Sequence, residues 1–340
     1  MKIERQGMRM KIAFYDTKPY DRIWFEPLAK EKGIEIHFLE AKLNKDTVRL
    51  SKDCDAVCIF VNDTADKDVI KALDQYGTRA ILLRCAGYNN VDVQAAKNKI
   101  HLLRVPSYSP EAVAEYTIGL LLTINRKIHR AYNRTRDFNF SIHGLMGMDL
   151  KGKTAGVIGT GKIGQMTIEI LKGLKMNILA YDLYPNPSLD VKYVELDELF
   201  EQSDVITLHC PLTKETKYLI DKRAIKKMKK DVLLINTSRG GLIQTNDLIE
   251  ALEQGKFAGV GLDVFEEEEE FFFEDCSDQI ITKDAVIKLT SYPNVILTSH
   301  QGFFTKEAMK EIAEVTLKNA ENLMNNQKNS NGIYENEIKE

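Results

Sequence analysis

Apolar residues along this chain fall into two patterns. Short, nearly continuous runs occupy residues 11–15, 34–39, 56–60, 80–84 and 102–105, and later 154–158, 177–181, 205–209, 232–236, 259–262 and 295–298. They lack polar alternation, as expected of parallel strands buried on both faces. Between them, apolar residues recur at helical spacing over 111–129, 164–174, 197–201, 221–228 and 245–253. Strand alternating with helix predicts a doubly wound α/β fold. Two helical patterns are longer than the rest. Pro110 opens one over 111–130, with Ala112, Ala114 and Gly119 as its small positions, and Thr305 is placed to cap another over 306–324. Helices of that length can bridge domains. Residues 325–340 are rich in Asn and Lys and poor in apolar side chains, which predicts a mobile or loosely docked tail. Residues 1–9 have a similar character, so the fold is expected to begin at Met10.

Length and composition narrow the class. At roughly 150 residues per domain, 340 residues suggest two domains. With 44% hydrophobic and 29% charged residues the chain can bury a core and keep a polar surface. Lys and Arg number 47 against 50 Asp and Glu, a net charge of −3, which argues against nucleic-acid or membrane-surface partners. Apolar stretches such as residues 118–122 fall far short of the roughly 20 residues that span a bilayer. Residues 1–9 do not have the character of a secretory leader. Cys54, Cys58, Cys85, Cys210 and Cys276 are odd in number and form no CxxC pair. They are expected as small buried hydrophobes in a reducing, cytoplasmic compartment. The histidines show neither HExxH nor HxH spacing, so no metal site is expected.

Chemistry enters with Gly159-Thr160-Gly161-Lys162-Ile163-Gly164, a GxGxxG segment that directly follows the strand over 154–158 and opens a helix. The first two glycines allow a tight turn and close approach of a pyrophosphate, and the third lets helix and strand pack. The anion then lies at the positive N-terminus of the helix. The next strand ends in Asp182, 18 residues after Gly164. A carboxylate there accepts from ribose hydroxyls and repels a 2′-phosphate, and no arginine follows among Leu183, Tyr184 and Pro185. NAD is therefore expected over NADP. A Gly-rich structural turn with Asp182 at a solvated strand end is the alternative.

Three polar segments follow later strands on the side where open α/β sheets bind ligands. They are Asn236-Thr237-Ser238-Arg239-Gly240-Gly241, then Asp263 with Glu266–Glu270 behind it, then Ser299-His300-Gln301-Gly302. An arginine can hold a carboxylate bidentately and polarise the adjacent carbonyl. A histidine can donate a proton at neutral pH, and a nearby carboxylate favours its charged form. Singly, each has an ordinary explanation: a satisfied structural histidine, a solvated glutamate loop, an arginine at a helix start. Their common location downstream of a dinucleotide loop is what points to a site.

Residues 156–164, 237–241, 261–265 and 299–302 resemble, in order and spacing, the signature segments of the D-isomer-specific 2-hydroxyacid dehydrogenases. The resemblance spans nearly all of residues 10–325. Some stretches are more similar still to the bacterial fermentative D-lactate dehydrogenases: Arg84-Cys85-Ala86-Gly87-Tyr88-Asn89-Asn90-Val91-Asp92, residues 104–115, Leu208-His209-Cys210-Pro211-Leu212-Thr213 and Phe272-Phe273-Glu274-Asp275. The resemblance implies Arg239 as the carboxylate-binding arginine, His300 as acid/base and Glu268, five residues after Asp263, as its paired carboxylate; the glutamate run offers Glu267 or Glu269 as alternatives, but the spacing favours Glu268. It implies Lys162 and Ile163 at the pyrophosphate, Asp182 at the ribose, and Cys210, Pro211 and Thr216 beside the adenine. Thr237, Ser238, Arg239 and Asp263 would approach the nicotinamide. Backbone amides at Ala86 and Gly87, with Tyr108, would help hold the substrate. Departures from the family pattern are Tyr116, where many relatives have His, and Gly302, where Ala is common and the change would loosen the turn beside His300.

The resemblance further implies a Rossmann cofactor domain, residues 106–300, inserted into a flavodoxin-like catalytic domain of residues 1–105 plus 301–340. The implied activity is reversible reduction of pyruvate to D-lactate by NADH, in a homodimer or homotetramer. Reductases of hydroxypyruvate, glyoxylate or phenylpyruvate would share these residues, leaving specificity to lining side chains such as Phe14, Tyr108 and Phe303. An NAD-sensing corepressor-like binding protein is the alternative from another class.

Overall fold

Two parallel sheets realise the strand–helix alternation. The computed structural model describes residues 10–268, 271 and 273–333. Glu269, Glu270 and Phe272, named above, lie outside the described residues, as do 1–9 and 334–340. The chain forms two compact units, one from the described residues up to Ser109 together with those from Thr305, the other Pro110–Phe304.

The first unit contains β1 (Lys11–Phe14), α1 (Pro19–Glu31), β2 (Glu35–Phe38), β3 (Ala56–Ile59), α2 (Lys67–Gln75), β4 (Ala80–Leu83), α3 (Val93–Ala96) and β5 (His101–Arg104). The second opens with α4 (Pro110–Arg126) and α5 (Ile128–Arg136), followed by β6 (Thr154–Ile158), α6 (Lys162–Gly173), β7 (Asn177–Tyr181) and β8 (Lys192–Tyr193). It continues through α7 (Leu196–Gln202), β9 (Val205–Leu208), α8 (Lys222–Lys227), β10 (Val232–Asn236), α9 (Thr245–Glu253), β11 (Phe257–Leu262), α10 (Asp284–Ser291) and β12 (Val295–Leu297). Helix α11 (Lys306–Met324) returns to the first unit.

The first sheet has the order β2-β1-β3-β4-β5, the flavodoxin-like arrangement, and the second β12-β11-β10-β9-β6-β7-β8. Each strand pairing within them is parallel. In the second sheet Leu233 and Ile235 pack with Ile118 and Leu121 of α4, whereas Leu234 lies on the other face in a cluster with Leu208, Leu248 and Val260. With both faces covered, alternate residues are equally apolar, which is why the strands read as continuous runs.

Register places the site. Ile158 stands opposite Tyr181 and Leu208, and Asn236 opposite Leu208 and Leu262. The residues that follow, Gly159, His209, Thr237 and Asp263, therefore emerge together at the carboxyl edge, beside the reversal of strand order between β6 and β9.

Two sequence expectations change. The helix over 111–130 is interrupted at Lys127, whose φ of 52° is left-handed, so α4 ends at Arg126 and α5 departs with no buried residue. The tail is docked as far as it is described. Leu103 forms an antiparallel bridge with Gly332, Ile333 N–H donates to Leu102 O at 3.1 Å, and Ile333 is 2% exposed. The free edge of β5 supplies the unmet backbone groups that low apolar content in the tail did not reveal. Among the described residues no helix is long and apolar enough to cross a membrane.

Candidate active site

The phosphate loop is built by exclusion of side chains. Gly159 has φ 93°, and a Cβ there would stand 2.6 Å from backbone atoms of His209 and Cys210. At Gly164 a Cβ would lie 2.0 Å from the Gly159 carbonyl oxygen, so the third glycine packs against the loop itself. Gly161, the N-cap of α6, meets no protein atom within 4 Å of such a position. That open side, at the positive end of a 12-residue helix, suits a pyrophosphate. Lys162 is exposed and Ile163 half-buried at the helix start.

Asp182 closes the loop from β7. One carboxylate oxygen accepts from Thr160 N–H at 2.6 Å and Thr160 Oγ1 at 2.9 Å, the other from Tyr184 N–H at 2.9 Å. Burial opposes its charge, but these donors prevail and hold its pKa below the ordinary aspartate value. An anionic carboxylate beside the loop fits a ribose without a 2′-phosphate. The residues present thus fit NAD.

Three strand ends carry the candidate catalytic side chains. Arg239 follows β10, Glu268 follows β11 in the loop after Asp263, and His300 follows β12. His300 Nδ1 lies 3.4 Å from Glu268 Oε1. The other carboxylate oxygen, Oε2, accepts from Phe265 N–H at 3.0 Å. Burial raises the Glu268 pKa, countered by His300, by the Phe265 amide and by Arg239, which is near enough to favour the carboxylate. Arg239 is itself steadied: Nη1 donates to Ser238 O at 2.7 Å, and its own carbonyl accepts from Asn236 Nδ2 at 2.9 Å.

Asp263 organises the histidine turn. Its carbonyl accepts from His300 N–H at 2.8 Å, and its carboxylate from Thr298 Oγ1 at 2.6 Å, Gln301 N–H at 2.9 Å and Gly302 N–H at 2.8 Å. The Gly302 amide is one of the pins of this turn, and a Cβ there would stand 3.0 Å from Asp263 Oδ2. Thr298 went unrecognised in the sequence, where a threonine after a strand carries no signal. Tyr116, on α4, packs against this same turn.

The remaining candidates sit where the loops converge. Thr237 Oγ1 contacts Thr117 Oγ1 at 2.7 Å, and Ser238 Oγ donates to Cys210 O at 2.7 Å. Burial pushes the Cys210 thiol up to about 11. Thr216 is buried and donates to Pro211 O at 2.7 Å, so its hydroxyl shapes the 211–216 loop. A cavity of about 420 Å³ adjoins Glu268 between Phe265, Phe271, Leu297 and Gln301. In the first unit, Ala86, Gly87 and Tyr108 are half-buried at or near the carboxyl ends of β4 and β5. Phe14, offered as a specificity residue, is fully buried between Phe25 and the Arg84 guanidinium and belongs to the core.

Residues 118–302 match the family described as D-isomer specific 2-hydroxyacid dehydrogenase, NAD binding domain. The chain is 52% identical over 314 residues to a 2-hydroxyacid dehydrogenase homolog of Haemophilus influenzae, covering 91% of this chain and 95% of that protein. It is 48% identical over 318 residues to a D-lactate dehydrogenase of Escherichia coli, covering 92% and 97% respectively. The solved apo-structure of D-lactate dehydrogenase from Escherichia coli superposes with a TM-score of 0.88 at 45% identity, over 95% of this chain and 100% of that one.

Proposed function

Because the chain belongs to the D-isomer specific 2-hydroxyacid dehydrogenases, an NAD-dependent family, we propose that it interconverts pyruvate and D-lactate. The observation that carries this reading is the 3.4 Å contact between Glu268 and His300, on the carboxyl edge of the sheet from which Arg239 also follows a strand. That its relatives are named D-lactate dehydrogenase supports pyruvate as the 2-oxo acid. NADH, when bound, supplies the hydride that reaches the carbonyl carbon. Gly159, Gly161, Lys162, Ile163 and Gly164 hold its pyrophosphate, Asp182 its ribose, and Cys210, Pro211 and Thr216 flank the adenine. Thr237, Ser238, Arg239 and Asp263 line the nicotinamide side.

Arg239 binds the substrate carboxylate and polarises the ketone. Because Glu268 engages Nδ1 of His300, Nε2 carries the mobile proton and gives it to the developing alkoxide. In the oxidative direction the neutral imidazole takes the hydroxyl proton at the same atom. Glu268 stabilises the imidazolium, and Asp263 holds the turn that presents it. The amides of Ala86 and Gly87, with Tyr108, help bind the substrate. The test is NADH oxidation with pyruvate, glyoxylate, hydroxypyruvate and phenylpyruvate, followed by chiral analysis of the product. Pyruvate is expected to give the highest kcat/KM and D-lactate; failure with every one of these acids would overturn the reading.

A homodimer or homotetramer accompanies this reading. Phe138, Phe140, Ile142 and Met146, just beyond α5, are 73% to 87% exposed, an apolar arm suited to a second copy of the chain. Sedimentation equilibrium is expected to give a dimer or larger, and Phe138→Ser with Ile142→Ser to give monomer. Buried free thiols at Cys54, Cys58 and Cys85 accord with the reducing cytoplasm.

A further inference from the structure

Strand β5 ends on Arg104, which pairs in register with Leu83, the residue before the loop that holds Ala86 and Gly87. Arg104 Nη1 donates to the Ala86 carbonyl oxygen at 3.0 Å. A trans peptide is planar, so the carbonyl of Ala86 and the N–H of Gly87 point in opposite directions. Fixing the carbonyl on the guanidinium therefore fixes the direction of the Gly87 N–H on the far side. Among the described residues no acceptor takes that N–H. The permanent charge of arginine also draws electron density toward the carbonyl, which strengthens the amide as a donor.

Arg104 is held from several directions. Its guanidinium lies 5.3 Å from the Tyr88 ring centroid. Its backbone N–H donates to Asn331 O at 3.1 Å, and its carbonyl accepts from Asn319 Nδ2 at 3.0 Å. Asn331 Nδ2 in turn donates to Asn319 Oδ1 at 2.8 Å, so the docked tail and α11 steady the end of β5. The loop is pinned further by Val105 N–H to Cys85 O and by Cys85 Sγ to Gly87 O, both at 3.2 Å.

We propose that Arg104 is a positioning residue that aims and polarises the Gly87 amide for the carboxylate of a 2-oxo acid substrate. The proposal rests on the reading of Ala86 and Gly87 given under Proposed function. Its test uses Arg104→Met and Arg104→Lys in the full chain, with steady-state kinetics, oxamate inhibition and fluorescence titration of NADH. Arg104→Met is expected to raise the pyruvate KM and the oxamate inhibition constant together, about 10-fold, while the NADH Kd stays within about twofold. Arg104→Lys, which restores one charged donor, is expected to recover part of that loss. An unchanged pyruvate KM in Arg104→Met, or parallel loss of substrate and NADH affinity, would overturn the proposal. Should Arg104→Met not fold, Arg104→Lys decides: a raised pyruvate KM with normal NADH affinity supports the proposal, and an unchanged one overturns it. If the unaltered protein turns over no 2-oxo acid, the underlying reading fails and the proposal falls with it; turnover with Arg104-independent KM sinks the proposal alone.

Discussion

His300 Nδ1 stands 3.4 Å from Glu268 Oε1, on a residue whose backbone is left-handed at φ 51°. A non-glycine residue in that region costs about 1 kcal/mol or more and persists only where its surroundings hold it. Here the holder is Asp263, which accepts the His300 N–H and both following amides. The strained turn directs the ring toward a buried carboxylate 32 residues earlier in the chain.

In the proposed reaction His300 is the proton donor, and removing its ring leaves the phosphate loop intact. His300→Ala is expected to lower kcat by about 10²- to 10⁴-fold with NADH affinity unchanged by fluorescence titration. Near-normal turnover would exclude His300 as the acid.

Arg239→Gln keeps hydrogen-bonding capacity but loses the charge and the bidentate fork. Steady-state kinetics should then show a large rise in pyruvate KM, at least 10-fold on the strength of a charged pair, together with a lower kcat. A lower kcat alone would place Arg239 away from the carboxylate.

In the proposed reaction the Glu268 carboxylate steadies the His300 ring from Nδ1. Glu268→Gln removes that negative charge and keeps the shape of the side chain, so kcat for pyruvate reduction should fall about 10- to 100-fold with NADH affinity unchanged by fluorescence titration. Normal turnover would show that the two side chains are not coupled.

The glycines of the phosphate loop separate folding from binding. Gly164→Ala places a methyl 2.0 Å from the Gly159 carbonyl, a backbone atom that cannot swing aside. It is expected to lower both Tm and NADH affinity. Gly161→Ala meets no protein atom within 4 Å, so Tm should hold while the NADH Kd rises. Equal effects on Tm would contradict this division.

His209 is a buried base that the proposed reaction does not use. Its Nε2 has no hydrogen-bond partner among the described residues, and burial pushes its pKa down to about 3. In the unfolded chain it titrates near 6.5. Between those values the unfolded state binds the extra proton, so stability falls as pH falls below about 6.5. Between pH 7 and pH 5 the loss from this one group approaches about 2 kcal/mol. His209→Gln should show a shallower drop in urea midpoint over that interval, and an equal drop would assign the acid sensitivity elsewhere.

The sandwiched strands and the phosphate loop were legible because their signals are local. A strand buried on both faces must be apolar along its length, as residues 232–236 are, and a loop that admits no Cβ must carry glycine. The interruption at Lys127 was not legible, since nothing in its neighbours demands a left-handed residue. Nor was the docking of Ile333, which depends on an exposed edge of β5 more than 200 residues away in the chain.

The amino-acid sequence by itself determined the α/β alternation, the dinucleotide loop and the residue types that end each strand. Tertiary structure alone decided that Asp263 spends both carboxylate oxygens on the His300 turn, that Phe14 is core, and that Arg104 reaches Ala86. The reason is range. Backbone sterics and burial periodicity act over a few residues, whereas these contacts join groups brought together only when register aligns separate strand ends at one edge of a sheet.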